Sequence, residues 1–139
     1  MPAKDIFHSN CKNALIKDGW TITHDPLSMK IGERDLFVDL GAEKFLTAEK
    51  GNQKIAVEVK SFINRSEMQD LENALGQFTF YNDVLELREP ERILYLAVRR
   101  KVFIKLFEND EAGKLLLLNK RLRLIVFEEE REEIVKWIT

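Results

Sequence analysis

Apolar and polar positions recur along this chain with two periods, and each change of period marks an element. Phe7, Cys11, Ala14 and Leu15 fall at i, i+4, i+7 and i+8, the spacing that lines one face of a helix. A helix is expected over residues 2–18, with Pro2 tolerated in its first turn and Gly19 as its stop. His8 borders that stripe, and Cys11 belongs to the core. Trp20-Thr21-Ile22-Thr23 is β-branched and alternating, which predicts a strand. Asp25-Pro26 and Gly32 predict a loop, with His24 at its edge. Residues 35–40 predict a second strand, bent or bulged at Gly41 and continued over 43–48. Gly51-Asn52 predicts a turn and residues 54–62 a third strand, antiparallel to the second.

Helical spacing returns after Ser66. Leu71, Leu75, Phe78 and Leu85 give the buried stripe of a helix over residues 66–87. Ser66 with Gln69, or Asn64 with Glu67, supplies a capping box. Glu89-Pro90 ends that region. Residues 92–98 are nearly all apolar, as expected of a strand buried on both faces at the centre of a sheet. Val102, Phe103, Leu106 and Phe107 predict a short amphipathic helix, broken at Gly113. Residues 115–118 fit helix or strand, and 121–127 predict a strand. The tail, residues 132–139, is expected to pair back on it across a Glu-rich turn. The order is helix, three strands, helix, strand, then additions. This is an α/β class with a mixed central sheet flanked by helices.

Bulk properties narrow this picture only modestly. A chain of 139 residues, 45% hydrophobic and 33% charged, suits one domain over residues 1–139 with a real core. A formal net charge of −2 argues against a strongly basic nucleic-acid module. It leaves room for a nuclease, whose acidic metal site offsets its basic patches. The single cysteine permits no intrachain disulfide and suggests a reducing compartment. No apolar run reaches a membrane span and no signal peptide opens the chain, so the expectation is cytoplasmic.

The candidate chemistry lies in the hairpin. Ile55-Ala56-Val57-Glu58-Val59-Lys60 is an apolar strand ending on an acid and a base, with Glu58 and Lys60 on one face and Val59 on the other. A lone Glu-x-Lys pair is commonly a solvated ion pair of little worth. Asp39, ending the preceding strand, changes its meaning. Two carboxylates at adjacent strand ends can hold a hard divalent cation, Mg²⁺ or Mn²⁺, with the Val59 carbonyl as a further ligand. A lysine beside it can stabilise developing phosphate charge or position a water. Phosphodiester hydrolysis is the natural reaction class. The register leaves the first acid open. A turn centred near Gly51 places Glu43 or Lys44 opposite Glu58, and Asp39 reaches that level only through a bend near Gly41. Glu43 and Asp35 are therefore alternatives to Asp39.

Asp39 with Glu58-Val59-Lys60 resembles the signature of the PD-(D/E)xK nuclease superfamily, whose restriction-endonuclease-like core (αβββαβ) has the order read above. No proline precedes Asp39. Gln77 and Tyr81, one helical turn apart, resemble the Gln-x-x-x-Tyr element of the RecB-like branch, and His8 resembles that branch's added histidine ligand. Resemblance to the XisH family, the fdxN element excision controlling factors of cyanobacteria, spans most of the chain. It rests on Lys4-Asp5-Ile6-Phe7-His8, on the run from Asn13 to Pro26, and on Asp39-Leu40-Gly41-Ala42-Glu43. It rests also on the run from Lys54 to Phe62 and on Ala74-Leu75-Gly76-Gln77.

The resemblance implies catalytic roles for Asp39, Glu58, Lys60, Gln77 and Tyr81, and metal ligation by Asp39, Glu58, Val59 and His8. It also implies work on DNA, with a XisI-type protein, a site-specific recombinase or a second copy of the chain as partners. Two functions compete. One is a metal-dependent DNA endonuclease supporting site-specific excision. The other is a non-catalytic DNA- or protein-binding factor on the same fold that assists a separate recombinase. Arg99, Arg100 and Lys101 fit phosphate contacts or a solvated turn, with the turn preferred. Residues 128–133 are expected to be a solvated acidic turn.

Overall fold

The computed structural model describes residues 4–139. Helix α1 spans His8–Lys17 and is shorter than the periodicity suggested. Asp5 explains part of the difference. Its carboxylate accepts the Phe7 N–H at 2.9 Å, holding the chain in a turn before the helix begins. Pro2 lies outside the described residues. Cys11, Ala14 and Leu15 are buried as expected. Gly19 stops the helix with φ +94°, a conformation that glycine adopts without a Cβ clash.

Five strands follow: β1 (Thr21–His24), β2 (Leu27–Ile31), β3 (Arg34–Val38), β4 (Leu40–Thr47) and β5 (Gly51–Val59). The expected loop after Asp25-Pro26 is in fact a strand. Leu27 and Met29 are buried while Ser28 and Lys30 are exposed, so β2 alternates and pairs antiparallel with β3. The long second strand divides into β3 and β4 at Asp39, where the chain bends. Val38 packs with one core cluster and Leu40 with the other, although two residues apart in one strand they would share a face.

Helix α2 spans Glu67–Arg88, and the Ser66 hydroxyl accepts the Gln69 N–H at 3.1 Å as its cap. Gln69 turns its own side chain to Asn73, so the box is closed from one side only. Asn64 pairs with Asp70 instead. Strand β6 (Arg92–Arg99) leads into α3, a helical turn Arg100–Val102 that runs on as a π-helical stretch Phe103–Glu108. Helix α4 covers Glu111–Leu118, capped by Asp110, and resolves the ambiguous leucine run as helix. Gly113 lies inside α4 rather than breaking a helix. A Cβ there would stand 1.7 Å from the Leu106 carbonyl oxygen, so its lack of a side chain lets α4 seat on α3. Strands β7 (Leu124–Glu128) and β8 (Glu133–Ile138) form the expected terminal hairpin.

The main sheet has the order β1-β4-β5-β6-β7-β8, and β2-β3 forms a separate ribbon. Strands β5, β6 and β7 are mutually parallel and the outer pairings are antiparallel. This is the mixed, helix-flanked sheet expected, with β6 at its interior. One core lies between the sheet and α2, α3, α4 and the β2-β3 ribbon; the other lies under α1. The carboxyl ends of β5 and β6 meet the amino end of β4, and this corner carries the candidate chemistry.

Candidate functional site

Asp39 stands level with Glu58. The ladder runs Leu40↔Val57, Gly41↔Ala56, Ala42↔Ile55 and Glu43↔Lys54, so the next pair outward is Asp39 with Glu58. Gly41 does not bend the strand. It admits His24 and Arg92, which would lie 3.1–3.3 Å from a Cβ at that position. The expected register failed because the turn lies earlier. Thr47 pairs with Gly51, which opens β5 rather than centring the hairpin. Glu43 therefore lies opposite Lys54, and Asp35 is exposed and paired with Lys30 at 3.1 Å. Neither alternative reaches Glu58.

Side chains replace the backbone ladder where Asp39 bends. Asp39 Oδ2 accepts the Val59 N–H at 2.7 Å, and Glu58 Oε1 accepts the Asp39 N–H at 3.2 Å. These two backbone contacts bring the acids side by side. Glu58 is 7% exposed. Burial pushes its pKa well above the usual carboxylate range, and the charge of Asp39 adds to this, while Lys60 works against it. Glu58 therefore keeps its proton to higher pH than an ordinary carboxyl.

Helix α2 carries Gln77 and Tyr81 one turn apart. The Gln77 amide donates to the Tyr81 hydroxyl at 3.0 Å. Burial raises the Tyr81 pKa, the Gln77 hydrogen bond opposes it, and the charges of Glu58 and Asp39 raise it further. The field of the two acids thus reaches the tyrosine. Lys60 continues from β5, its N–H bonded to the Ala97 carbonyl at 3.1 Å. Beside it is a polar cavity of about 230 Å³, lined among others by Asp5, Lys60, Ser61, Asn64 and Asp70.

His8 is placed elsewhere. It is buried, not at the stripe's border, and its Nε2 lies 2.7 Å from Asp25 Oδ1, while its Nδ1 is buried without a partner. Lys12 reaches the same carboxylate at 2.7 Å. Burial opposes the charge on Asp25, but hydrogen bonds from Lys12 and His8 outweigh it and hold its pKa below the ordinary value. Among the described residues no group of three or more His, Cys, Asp or Glu side chains is arranged to hold a metal ion. The site as built thus has two carboxyls, each with one oxygen engaged by backbone. That leaves one oxygen apiece for a hard cation, whose remaining positions suit water.

Three participants carry weaker sequence signals. Asp5 Oδ2 accepts the Ser61 N–H at 2.9 Å across 56 positions of sequence, which no local pattern reveals. Arg99 is no solvated turn residue. Its guanidinium donates to the Ser61 carbonyl at 2.9 Å, pairs with Glu129 at 3.2 Å and lies 4.3 Å from the centre of the Phe7 ring. The acidic turn is also less free than expected, since Asn10 donates to the Glu129 carbonyl and to Glu132.

A family model described as XisH protein matches residues 1–135. The chain is similar to the crystal structure of an XisH family protein from Nostoc punctiforme PCC 73102. That likeness has 40% identity and a TM-score of 0.85, over 97% of this chain and all of the other. It is similar also to a crystal structure described as an fdxN element excision controlling factor protein from Anabaena variabilis. There the identity is 40% and the TM-score 0.86, over 98% of this chain and all of the other. No curated protein matches the chain.

Proposed function

The chain belongs to the XisH family, and from that premise we propose that it is a divalent-cation-dependent DNA endonuclease supporting site-specific excision of a DNA element. The observation that carries the reading is the buried Glu58 carboxyl at the end of β5 beside Asp39, with Glu58 Oε1 accepting the Asp39 N–H and Asp39 Oδ2 accepting the Val59 N–H. Burying two like acids together is costly for a purely structural role. A Mg²⁺ or Mn²⁺ ion held by Asp39, Glu58 and the Val59 carbonyl would lend positive charge to the scissile phosphate and acidify a water. Lys60 stabilises charge developing on the phosphate and orients the attacking water. Gln77 and Tyr81 hold the α2 side of the corner and position Lys60 or the phosphate. His8 braces α1 through Asp25 and takes no ligand position in this reading.

The reaction is hydrolysis: a water oxygen bonds to phosphorus, the phosphorus–oxygen bond to the leaving strand breaks, and that oxygen takes a proton. DNA is the substrate, in the cytoplasm. A XisI-type protein and a site-specific recombinase are the partners the family's excision role calls for, and a homodimer would bring two sites to two strands. One observation favours the competing reading of a non-catalytic accessory factor. Two carboxyls are a sparse donor set, with no third acidic or histidine side chain joining them among the described residues.

A plasmid-nicking assay with Mg²⁺ or Mn²⁺ separates the two. The endonuclease reading expects nicking by the wild type, abolished in Glu58→Gln and lowered to a small residual rate in Lys60→Ala. Nicking at the wild-type rate in both variants removes the site, and a wild type that neither nicks nor binds a cation establishes the accessory reading.

A further inference from the structure

The segment that carries Lys60 leaves the sheet at once. Strand β5 ends at Val59, and Phe62, two residues beyond Lys60, takes φ +53°, a left-handed conformation that a bulky side chain rarely adopts. Such a bend persists only where its surroundings impose it. Phe62 is itself buried among the α2 core residues. The intervening Ser61 is held on both sides of its backbone. Its N–H goes to Asp5 Oδ2 at 2.9 Å and its carbonyl to Arg99 Nη2 at 2.9 Å.

Each jaw is fixed in turn. Asp5 is held through its second oxygen by the Phe7 N–H at 2.9 Å. Arg99 is held by Glu129 at 3.2 Å and by the face of Phe7 at 4.3 Å. Phe7 thus touches both jaws, through its backbone and through its ring. These groups come from the chain before α1, from the end of β6 and from the β7-β8 turn. All of them converge on the residue next to Lys60.

We propose that Asp5 and Arg99 are positioning residues, a two-sided clamp on Ser61 that fixes where the Lys60 ammonium stands against Glu58 and Asp39. The clamp rests on the reading of Lys60 as the residue that assists phosphodiester hydrolysis. A flexible lysine at a frayed strand end samples many rotamers, and confining its backbone removes much of that freedom before substrate arrives. Neither jaw touches the Asp39 and Glu58 carboxyls by any hydrogen bond described above, so their loss leaves cation binding in place.

The test measures Mn²⁺-supported plasmid nicking, Mn²⁺ affinity by calorimetry and thermal unfolding for Asp5→Ala and Arg99→Met. Asp5→Asn serves as the partial variant, since its one amide oxygen accepts from Ser61 only by giving up the Phe7 N–H. The clamp expects Asp5→Ala and Arg99→Met each to lower kcat about 10-fold, as loss of supporting contacts around a site does. KM and the Mn²⁺ dissociation constant stay within about twofold by the same logic, and Asp5→Asn recovers part of the rate. In a Lys60→Ala background the same substitutions lower the residual rate no further, because the positioned group is gone. Equal losses in both backgrounds, or unchanged nicking in both variants, overturn the clamp and leave the endonuclease reading standing. A wild type that does not nick overturns the endonuclease reading and the clamp together. If Asp5→Ala does not fold, Arg99→Met decides alone: full activity in it overturns the clamp.

Discussion

Two carboxylates at strand ends sit on opposite sides of this sheet and come to opposite states. Asp25 follows β1 on the α1 side, 15% exposed at its side chain, with Lys12, His8 and Lys4 at 2.7, 2.7 and 3.8 Å. Glu58 lies at the end of β5 toward α2, more deeply buried, with another acid beside it whose backbone N–H it accepts. Burial pushes both pKa values upward. The sign of the neighbours decides the rest, so Asp25 titrates low and Glu58 high. The Asp25 cluster is electrostatically complete and behaves as a brace between α1 and the β1 end. The Glu58 pair has an acid where Asp25 has cations, and the proposed function assigns the missing positive charge to a divalent cation.

The sharpest way to break this comparison is to neutralise each acid in turn. Glu58→Gln should lower nicking at least ~100-fold, the scale for losing a principal stabilising group in a site, while a cation-free melt is unchanged or improved. Asp25→Asn should do the reverse. It leaves Lys12 and His8 without their anion and costs about 2 kcal/mol in urea unfolding, the scale of an orphaned charged hydrogen bond, with nicking nearly intact. If Asp25→Asn proves the more damaging to nicking, the division between brace and site is wrong.

A smaller effect appears against pH. The unfolded chain releases the Glu58 proton near 4.5, whereas the folded, cation-free protein keeps it to higher pH. The folded state therefore binds more protons in that window, and its stability falls as pH rises above 4.5 until the folded pKa is passed. Glu58→Gln removes this slope. Asp25 has the opposite sign. Its stabilisation is present above 3.8 and is lost as pH falls through its lowered folded value. Stability curves of the two variants against pH should thus diverge from wild type at opposite ends. The smallest effect expected is Tyr81→Phe, which deletes the acceptor of the Gln77 amide. It should cost about 1 kcal/mol in unfolding and only a few-fold in nicking rate.

Long periodic elements were legible in the sequence. Helix α2 with its Ser66 cap, the interior strand β6 and the terminal hairpin follow from spacing, because many side chains vote for each. The shared face expected of Glu58 and Lys60 assumed a strand through both, whereas β5 ends at Val59 and Lys60 lies just beyond it. Short elements were not legible. Strand β2 has only five residues, and Pro26 before it reads as a loop signal. The place of Asp39 required the turn's centre to within a residue, and Gly51 misdirected it. Gly113 reads locally as a breaker, although its reason is a carbonyl seven residues back across a helix junction. His8 went to Asp25 because the partner that captures it lies on another element, and nothing in residues 4–18 encodes that distance. Asp5 and Arg99 were missed as site residues for the same reason.

The central proposal is that Glu58, beside Asp39, holds a proton that a bound divalent cation would displace. Calorimetric titration of Mn²⁺ at neutral pH, in two buffers of different ionisation enthalpy, measures it directly. The account predicts binding by the wild type with release of about one proton per cation, and loss of both binding and release in Glu58→Gln. Binding without proton release, or binding that persists in Glu58→Gln, would contradict it.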